Sequence, residues 1–382
     1  QKRKQVVQES LNSLGINCSD SVPHVALLGS GGGQRAAVAL LGSLYQMQKE
    51  GLLDTVLYLG GVSGSTCDPW WSSNMERAVS RLSGPDVSLD EALAWLGQRA
   101  EGEDFSLSDI WGVLTSAGIM KQVRGREERK NDNNKLDYIY RDKFAHIKKK
   151  YFLCFHQMDL RCKWFEVTPH EAGFTELGLF IETSHLGSKF QAGQLLEERP
   201  EMDMVELQGV FSWFTQHILP LVLKWEWGTT RNFLYQYQGE KSLETFHLID
   251  AGLLINVAYP SFLGDKRDID LIIAPEYSAG NIFETVTLAR DYAAKVNKPF
   301  PEIDDKVLED KDWPKDCYVF QGEGKQPTIV YMPLFNRNNC KGLSPLQIIN
   351  FLLGIAKNNM KNNKETILRE INKAVERRQN KR

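Results

Sequence analysis

Gly61-Val62-Ser63-Gly64-Ser65 sets a serine among small residues, where the apolar run 55–62 gives way to a helical pattern. A side chain on so sharp a strand-to-helix turn needs small neighbours, because bulky Cβ groups collide with the crowded backbone. The turn exposes the Ser63 Oγ and aims a helix N-terminus at the reaction centre, where its dipole favours developing negative charge. This is a nucleophile's setting, and it departs from G-x-S-x-G only in Ser65 at the last position. A glycine–serine turn without chemistry is the competing account.

A second segment, Ser30-Gly31-Gly32-Gly33-Gln34-Arg35, has consecutive glycines whose N–H groups can converge on one point as an anion nest or an oxyanion hole. The alternatives are a nucleotide phosphate loop and a plain turn. The lysine and hydroxyl of G-x-x-x-x-G-K-[ST] are missing, and so is G-x-G-x-x-G, which weighs against the phosphate loop. A serine nucleophile also needs a base. None of the seven histidines (His24, His146, His156, His170, His185, His217, His247) has a setting that marks it as catalytic. Asp250-Ala251-Gly252 instead ends an apolar strand with a carboxylate. Carboxyl ends of parallel strands are where α/β sheets assemble sites, and a partly desolvated aspartate can take a serine proton directly. A loop cap is the plainer reading of Asp250 alone.

These residues require elements to position them. The pattern predicts a buried strand over 24–28, a tight turn at 29–33 and a helix from Arg35 to near Gly51. A second strand over 55–62 then turns into another helix. Two strand–turn–helix units in succession predict an α/β fold, with a central, mainly parallel sheet between helical layers and helical cap or lid insertions. Further strands are expected at 164–169, 179–183, 245–250 and 269–274. The stretch 88–150 reads as mainly helical, and residues 345–380 as a C-terminal helix. One catalytic domain over 1–382 is the economical organisation. Its core is 22–84, 160–192 and 225–335, and its insert or cap segments are 85–159 and 193–224.

Composition agrees with an ordinary globular enzyme. Of 382 residues 42% are hydrophobic and 25% charged, and 46 Lys+Arg stand against 49 Asp+Glu. Disordered and fibrous classes are excluded, and the balance of charge argues against a nucleic-acid partner. The six cysteines lack CxxC spacing, which points to a reducing cytoplasmic setting without a zinc site. No apolar run is long enough to cross a bilayer, and no signal peptide or prenylation box is visible.

Ser-Gly-Gly-Gly-x-Arg, Gly-x-Ser-Gly-Ser and Asp-x-Gly, in that order, resemble the group IV cytosolic phospholipases A2, relatives of the patatin-like lipases. The likeness extends through Thr168-Pro169-His170-Glu171-Ala172-Gly173-Phe174, Trp225-Glu226-Trp227-Gly228-Thr229-Thr230 and Pro299-Phe300-Pro301. It is strongest toward the gamma type, which lacks a calcium-binding C2 domain. The resemblance implies Ser63 as nucleophile and Asp250 as base of a dyad without histidine, with Gly32 and Gly33 as oxyanion-hole donors. Arg35 matches the arginine beside that hole. Arg267, seventeen residues after Asp250, matches the arginine that meets the substrate phosphate. No metal or other cofactor is implied. The expected activity is calcium-independent hydrolysis of phospholipid acyl esters, possible also on lysophospholipids. The same site could serve an acyltransferase, and the fold a lipid-binding or storage protein. Three departures bear on selectivity: Cys67 for a tryptophan, Gln34 for an aromatic or aliphatic residue, and a short stretch between Phe211 and Lys224.

A phospholipid ester has to be met at an interface, so the expected partner is a membrane surface, approached peripherally. Trp213, Phe214, Ile218, Leu221, Leu223, Trp225 and Trp227 are candidates for a cap rim, with core packing as the alternative. Lys148-Lys149-Lys150 and the basic tail (Lys357, Lys361, Lys364, Arg369, Lys373, Arg377, Arg378) could attract anionic lipid, with a solvated helix face as the alternative.

Overall fold

The computed structural model describes residues 2–19, 21–66, 87–101, 110, 113, 117, 148–156, 162–168, 170–202, 229–237, 243–249, 251–264, 266–278, 281–336 and 348–380. In chain order the elements begin with α1 (Lys2–Ser13), β1 (Val25–Gly29), α2 (Gly33–Lys49), β2 (Tyr58–Gly61) and α3 (Leu89–Ala100). Next come β3 (Lys148–His156), β4 (Cys162–Val167), β5 (Glu171–Phe174), β6 (Leu179–Glu182), β7 (Lys189–Gln191) and β8 (Gln194–Glu197). The remainder are β9 (Thr229–Arg231), β10 (Thr245–Ile249), β11 (Leu271–Glu276), α4 (Glu284–Lys295), β12 (Tyr318–Phe320), β13 (Thr328–Pro333), α5 (Ile348–Asn362) and α6 (Lys364–Asn380).

The chain divides into two compact units. One comprises residues 1–79, 139–150 and 254–382, the other 80–138 and 151–253. Residues 160–192, expected with the core, thus fall in the second unit.

In the first unit β1 lies between β11 and β2 and is parallel to both; β13 extends the sheet beyond β11, and β12 closes that edge antiparallel. β1, β11 and β13 are unbroken runs of buried residues, because a parallel strand is covered on both faces and has no reason to alternate. The parallel sheet and its helices are those the glycine turns predict. α2 packs closely on α5, with Gly42 against the Leu353 carbonyl. The predicted C-terminal helix is two helices. At Asn363 the side-chain Nδ2 donates to the Asn359 carbonyl at 2.9 Å, a local bond that competes with the helical ladder where α5 gives way to α6.

The second unit is antiparallel. β3, β4, β5 and β6 pair in sequence, and β10 pairs with β3 and β9. Phe165, Val167, Ala172, Phe174, Leu186, Phe233 and Leu248 form its core. The helical reading of 88–150 holds in α3 and is corrected by β3 only at its last three residues. Lys148-Lys149-Lys150 open a strand whose apolar stretch, Tyr151 to Phe155, is too short for a helix.

Candidate functional site

Both glycine-rich turns leave the sheet at the carboxyl ends of neighbouring parallel strands. Gly29, the last residue of β1, pairs with Gly61, the last of β2. After β1 the chain turns through Ser30, Gly31 and Gly32 (φ 147°) into α2 at Gly33. After β2 it passes through Val62 into a short 3-10 turn, Ser63–Thr66. Ser63 has φ 48°, a left-handed conformation that costs a residue with a side chain about 1–2 kcal/mol. Such strain persists only where surrounding contacts enforce it, and it clusters at functional positions.

Those contacts join the two turns. The Ser65 hydroxyl donates to the Ser30 carbonyl at 2.6 Å, and Ser65 is only 1% exposed. The departure from G-x-S-x-G therefore has a structural use: the final serine fastens the elbow to the glycine turn. The Thr66 hydroxyl donates back to the Ser63 carbonyl at 2.5 Å. Gly64 lies so close to the Gly33 carbonyl that an added Cβ would overlap it. Gly64→Ala is expected to lower the melting temperature by an overpacking cost of about 1–3 kcal/mol. It should also slow reaction of Ser63 with a serine-directed electrophile roughly 100-fold, since a shift of about 1 Å has that effect. Thermal melts and labelling rates measure both.

On the other side of the turn, a Cβ at Gly31 would lie 3.1 Å from that of Ser63, so the serine side chain packs directly against the glycines. Gly32 and Gly33 stand at the start of α2, where the first-turn N–H groups have no intrahelical acceptor. Among the described residues neither amide has a hydrogen-bond partner. Together with the helix dipole they form a concentration of positive potential beside Ser63.

Arg35 stays at this end of the sheet. Its Nε donates to the Tyr277 carbonyl at 2.7 Å, just past β11, and its guanidinium lies 5.6 Å from the Phe335 ring centroid. Burial lowers its pKa from the usual arginine value, partly opposed by Glu276. Glu276 is itself buried, and desolvation raises its pKa above the ordinary carboxylate value despite hydrogen bonds from Ser278, Ser30 and Tyr331.

Arg267 is placed elsewhere. Its carbonyl lies 2.9 Å from the His24 ring Nδ1, and His24 immediately precedes β1. Its guanidinium donates to the Ser261 carbonyl and stacks over Phe262 at 5.1 Å. The length of β1, about 16 Å, separates that edge from the glycine turn. The structure thus brings Ser63, Gly32, Gly33 and Arg35 together and leaves Arg267 at the opposite edge, beyond an arginine's reach. The phosphate role expected for Arg267 does not follow from this placement. Asp250 lies outside the described residues, as do Cys67, Trp213, Phe214, Ile218, Leu221, Leu223, Trp225 and Trp227.

Sequence reasoning missed Asn256, Glu276 and Ser278, which pack around the glycine turn. The available signal was a polar residue inside an apolar stretch: Asn256 between Ile255 and Val257, and Glu276 closing the run 271–275.

The α/β fold that carries this strained serine and glycine-rich helix start is shared with a solved cytosolic phospholipase A2. The solved human GIVD cytosolic phospholipase A2 superposes with a TM-score of 0.79 at 21% identity, over 98% of this chain and 66% of that one. This chain is related to the group IV enzymes, and the gamma type matches it along nearly its whole length. Human cytosolic phospholipase A2 gamma is 29% identical, covering 97% of this chain and 93% of the relative; the mouse protein is 26% identical over 98% and 90%. The human alignment runs over 515 positions against the 382 residues here, so that relative carries internal segments that this chain lacks. This chain spans 53% of the mouse zeta-type relative. No family model matches the sequence. Among the described residues, no helix is long and apolar enough to cross a membrane.

Proposed function

We propose that this protein is a phospholipase A2 that hydrolyses fatty-acyl esters of glycerophospholipids, and of lysophospholipids, without calcium. The observation that carries the reading is the junction of the two turns: a left-handed Ser63 packed against Gly31, beside the amides of Gly32 and Gly33, which have no partner among the described residues. Ser63 attacks the ester carbonyl, and the developing oxyanion accepts hydrogen bonds from those amides. Asp250, the residue that follows Ile249 in the sequence, takes the serine proton and returns it to the departing lysolipid oxygen. A water deprotonated by the same carboxylate then releases the fatty acid from the acyl-serine. Arg35 holds positive charge beside the hole and can pair with a substrate phosphate. The names of the relatives support this substrate class, and a cytosolic protein meeting membranes at their surface is the setting that suits it.

The test is labelling by an alkyl fluorophosphonate in parallel samples with and without a calcium chelator, with the adduct located by peptide mass. One adduct on Ser63, formed at the same rate with and without chelator, is expected. Labelling elsewhere, or none, overturns the reading.

A further inference from the structure

We infer that Asn256 is a positioning residue for the proposed reaction, holding the peptide between Gly31 and Gly32 so that the Gly32 N–H faces the site. The inference rests on the acyl-transfer reading of Ser63.

Asn256 grips Gly31 from both sides of its Cα. The Gly31 N–H donates to the Asn256 carbonyl at 3.0 Å, and Asn256 Nδ2 donates to the Gly31 carbonyl at 3.1 Å. The Asn256 amide also lies directly on the Gly31 Cα, so that an added Cβ would overlap Oδ1. A trans peptide is planar, with its C=O and N–H pointing opposite ways. Anchoring the Gly31 carbonyl on Asn256 therefore points the Gly32 N–H away from Asn256. Hydrogen bonds in an oxyanion hole depend on that direction, and the glycines can otherwise rotate.

Asn256 is in turn held in place. Its Nδ2 donates a second bond to Ser278 Oγ at 2.5 Å, and the Ser278 N–H donates to Glu276 Oε1 at 2.8 Å. Glu276 is 2% exposed and accepts from the Tyr331 hydroxyl at 3.2 Å. On the Ser30 side, the Tyr277 N–H donates to Ser30 Oγ at 2.6 Å and the Ser30 N–H to the Pro275 carbonyl at 3.2 Å. The residues just past β11 thus brace the turn from two directions, and the Gly31 carbonyl accepts from the Asn256 amide at 3.1 Å and, more weakly, from the hydroxyl of its neighbour Ser30 at 3.3 Å.

The decisive variant is Asn256→Asp, which keeps the shape and exchanges the donor for a carboxyl. Ionised, it sets an acceptor against the Gly31 carbonyl and turns the peptide; protonated, its O–H can donate there again. Inactivation by an alkyl fluorophosphonate is measured from pH 5 to 8 for wild type, Asn256→Asp and Asn256→Ala, separating the maximal rate from the half-saturating concentration. Asn256→Ala adds no charge, so its ratio to wild type cancels the titration of Asp250 and Glu276 and the charge of Arg35, and it is the control against which the Asn256→Asp ratio is read. At pH 8 both variants are expected to react about 100-fold more slowly at saturation, with half-saturation within about twofold of wild type. The Asn256→Asp deficit should shrink about tenfold by pH 5, and that of Asn256→Ala should stay constant. A flat Asn256→Asp ratio, or a maximal rate within about twofold of wild type, overturns the inference while wild-type labelling at Ser63 leaves the proposed function standing. A wild-type protein without labelling at Ser63 removes both. Should Asn256→Ala fail to melt cooperatively, the Asn256→Asp ratio decides alone.

Discussion

Ser63→Ala is expected to reduce acyl-ester hydrolysis by roughly 100,000-fold or more and to abolish fluorophosphonate labelling. Removing the nucleophile of a cooperating catalytic group costs about as much as removing the whole group, because the remaining members have nothing to activate. What survives comes from binding and the oxyanion donors. A companion variant separates chemistry from architecture. Ser63 holds φ 48° at a cost that glycine does not incur. Ser63→Gly should therefore be as inactive as Ser63→Ala but melt above it, by up to about 1 kcal/mol or a degree or two. Substantial hydrolysis by Ser63→Ala would move the nucleophile elsewhere, and the elbow would be only a turn.

Asp250→Asn is expected to lower the rate about 10,000-fold with little change in melting temperature. The substitution keeps size and shape and removes only the capacity to take a proton, so the loss reports base catalysis. In the proposed dyad, which has no histidine, the carboxylate serves both halves of the reaction. Formation of the acyl-serine and its hydrolysis should therefore fall together, which pre-steady-state release of the first product can show. An unimpaired Asp250→Asn enzyme rules out the dyad. Selective loss of the second half assigns Asp250 to water activation alone.

The fold around the site was readable because the strongest local signals are steric. Glycines at 29–33 and 61–64 between apolar runs can only be turns, and two such turns in succession require parallel neighbours. The adjacency of the Ser63 turn and the glycine turn followed from that spacing, while the roles of Gly32, Gly33 and Arg35 rested on the family resemblance. Arg267 did not, because seventeen residues of chain after Asp250 fix no direction, and hydrogen bonding at His24 and Ser261 carries it to the amino-terminal edge. Asn256 and Glu276 escaped notice for a related reason. Each serves by holding backbone from a distant part of the chain, and single-sequence periodicity records only local neighbours. Lys148–Lys150 were misread as the end of a helical stretch because a run of lysines has no apolar period of its own; they open β3.

The bond from Ser65 to Ser30 and the grip of Asn256 on Gly31 all lie inside the first unit. In the proposed reaction, nucleophile and amides then keep their spacing through bonds that all begin and end within one unit, so a substitution in the other unit can alter the rate without loosening those bonds.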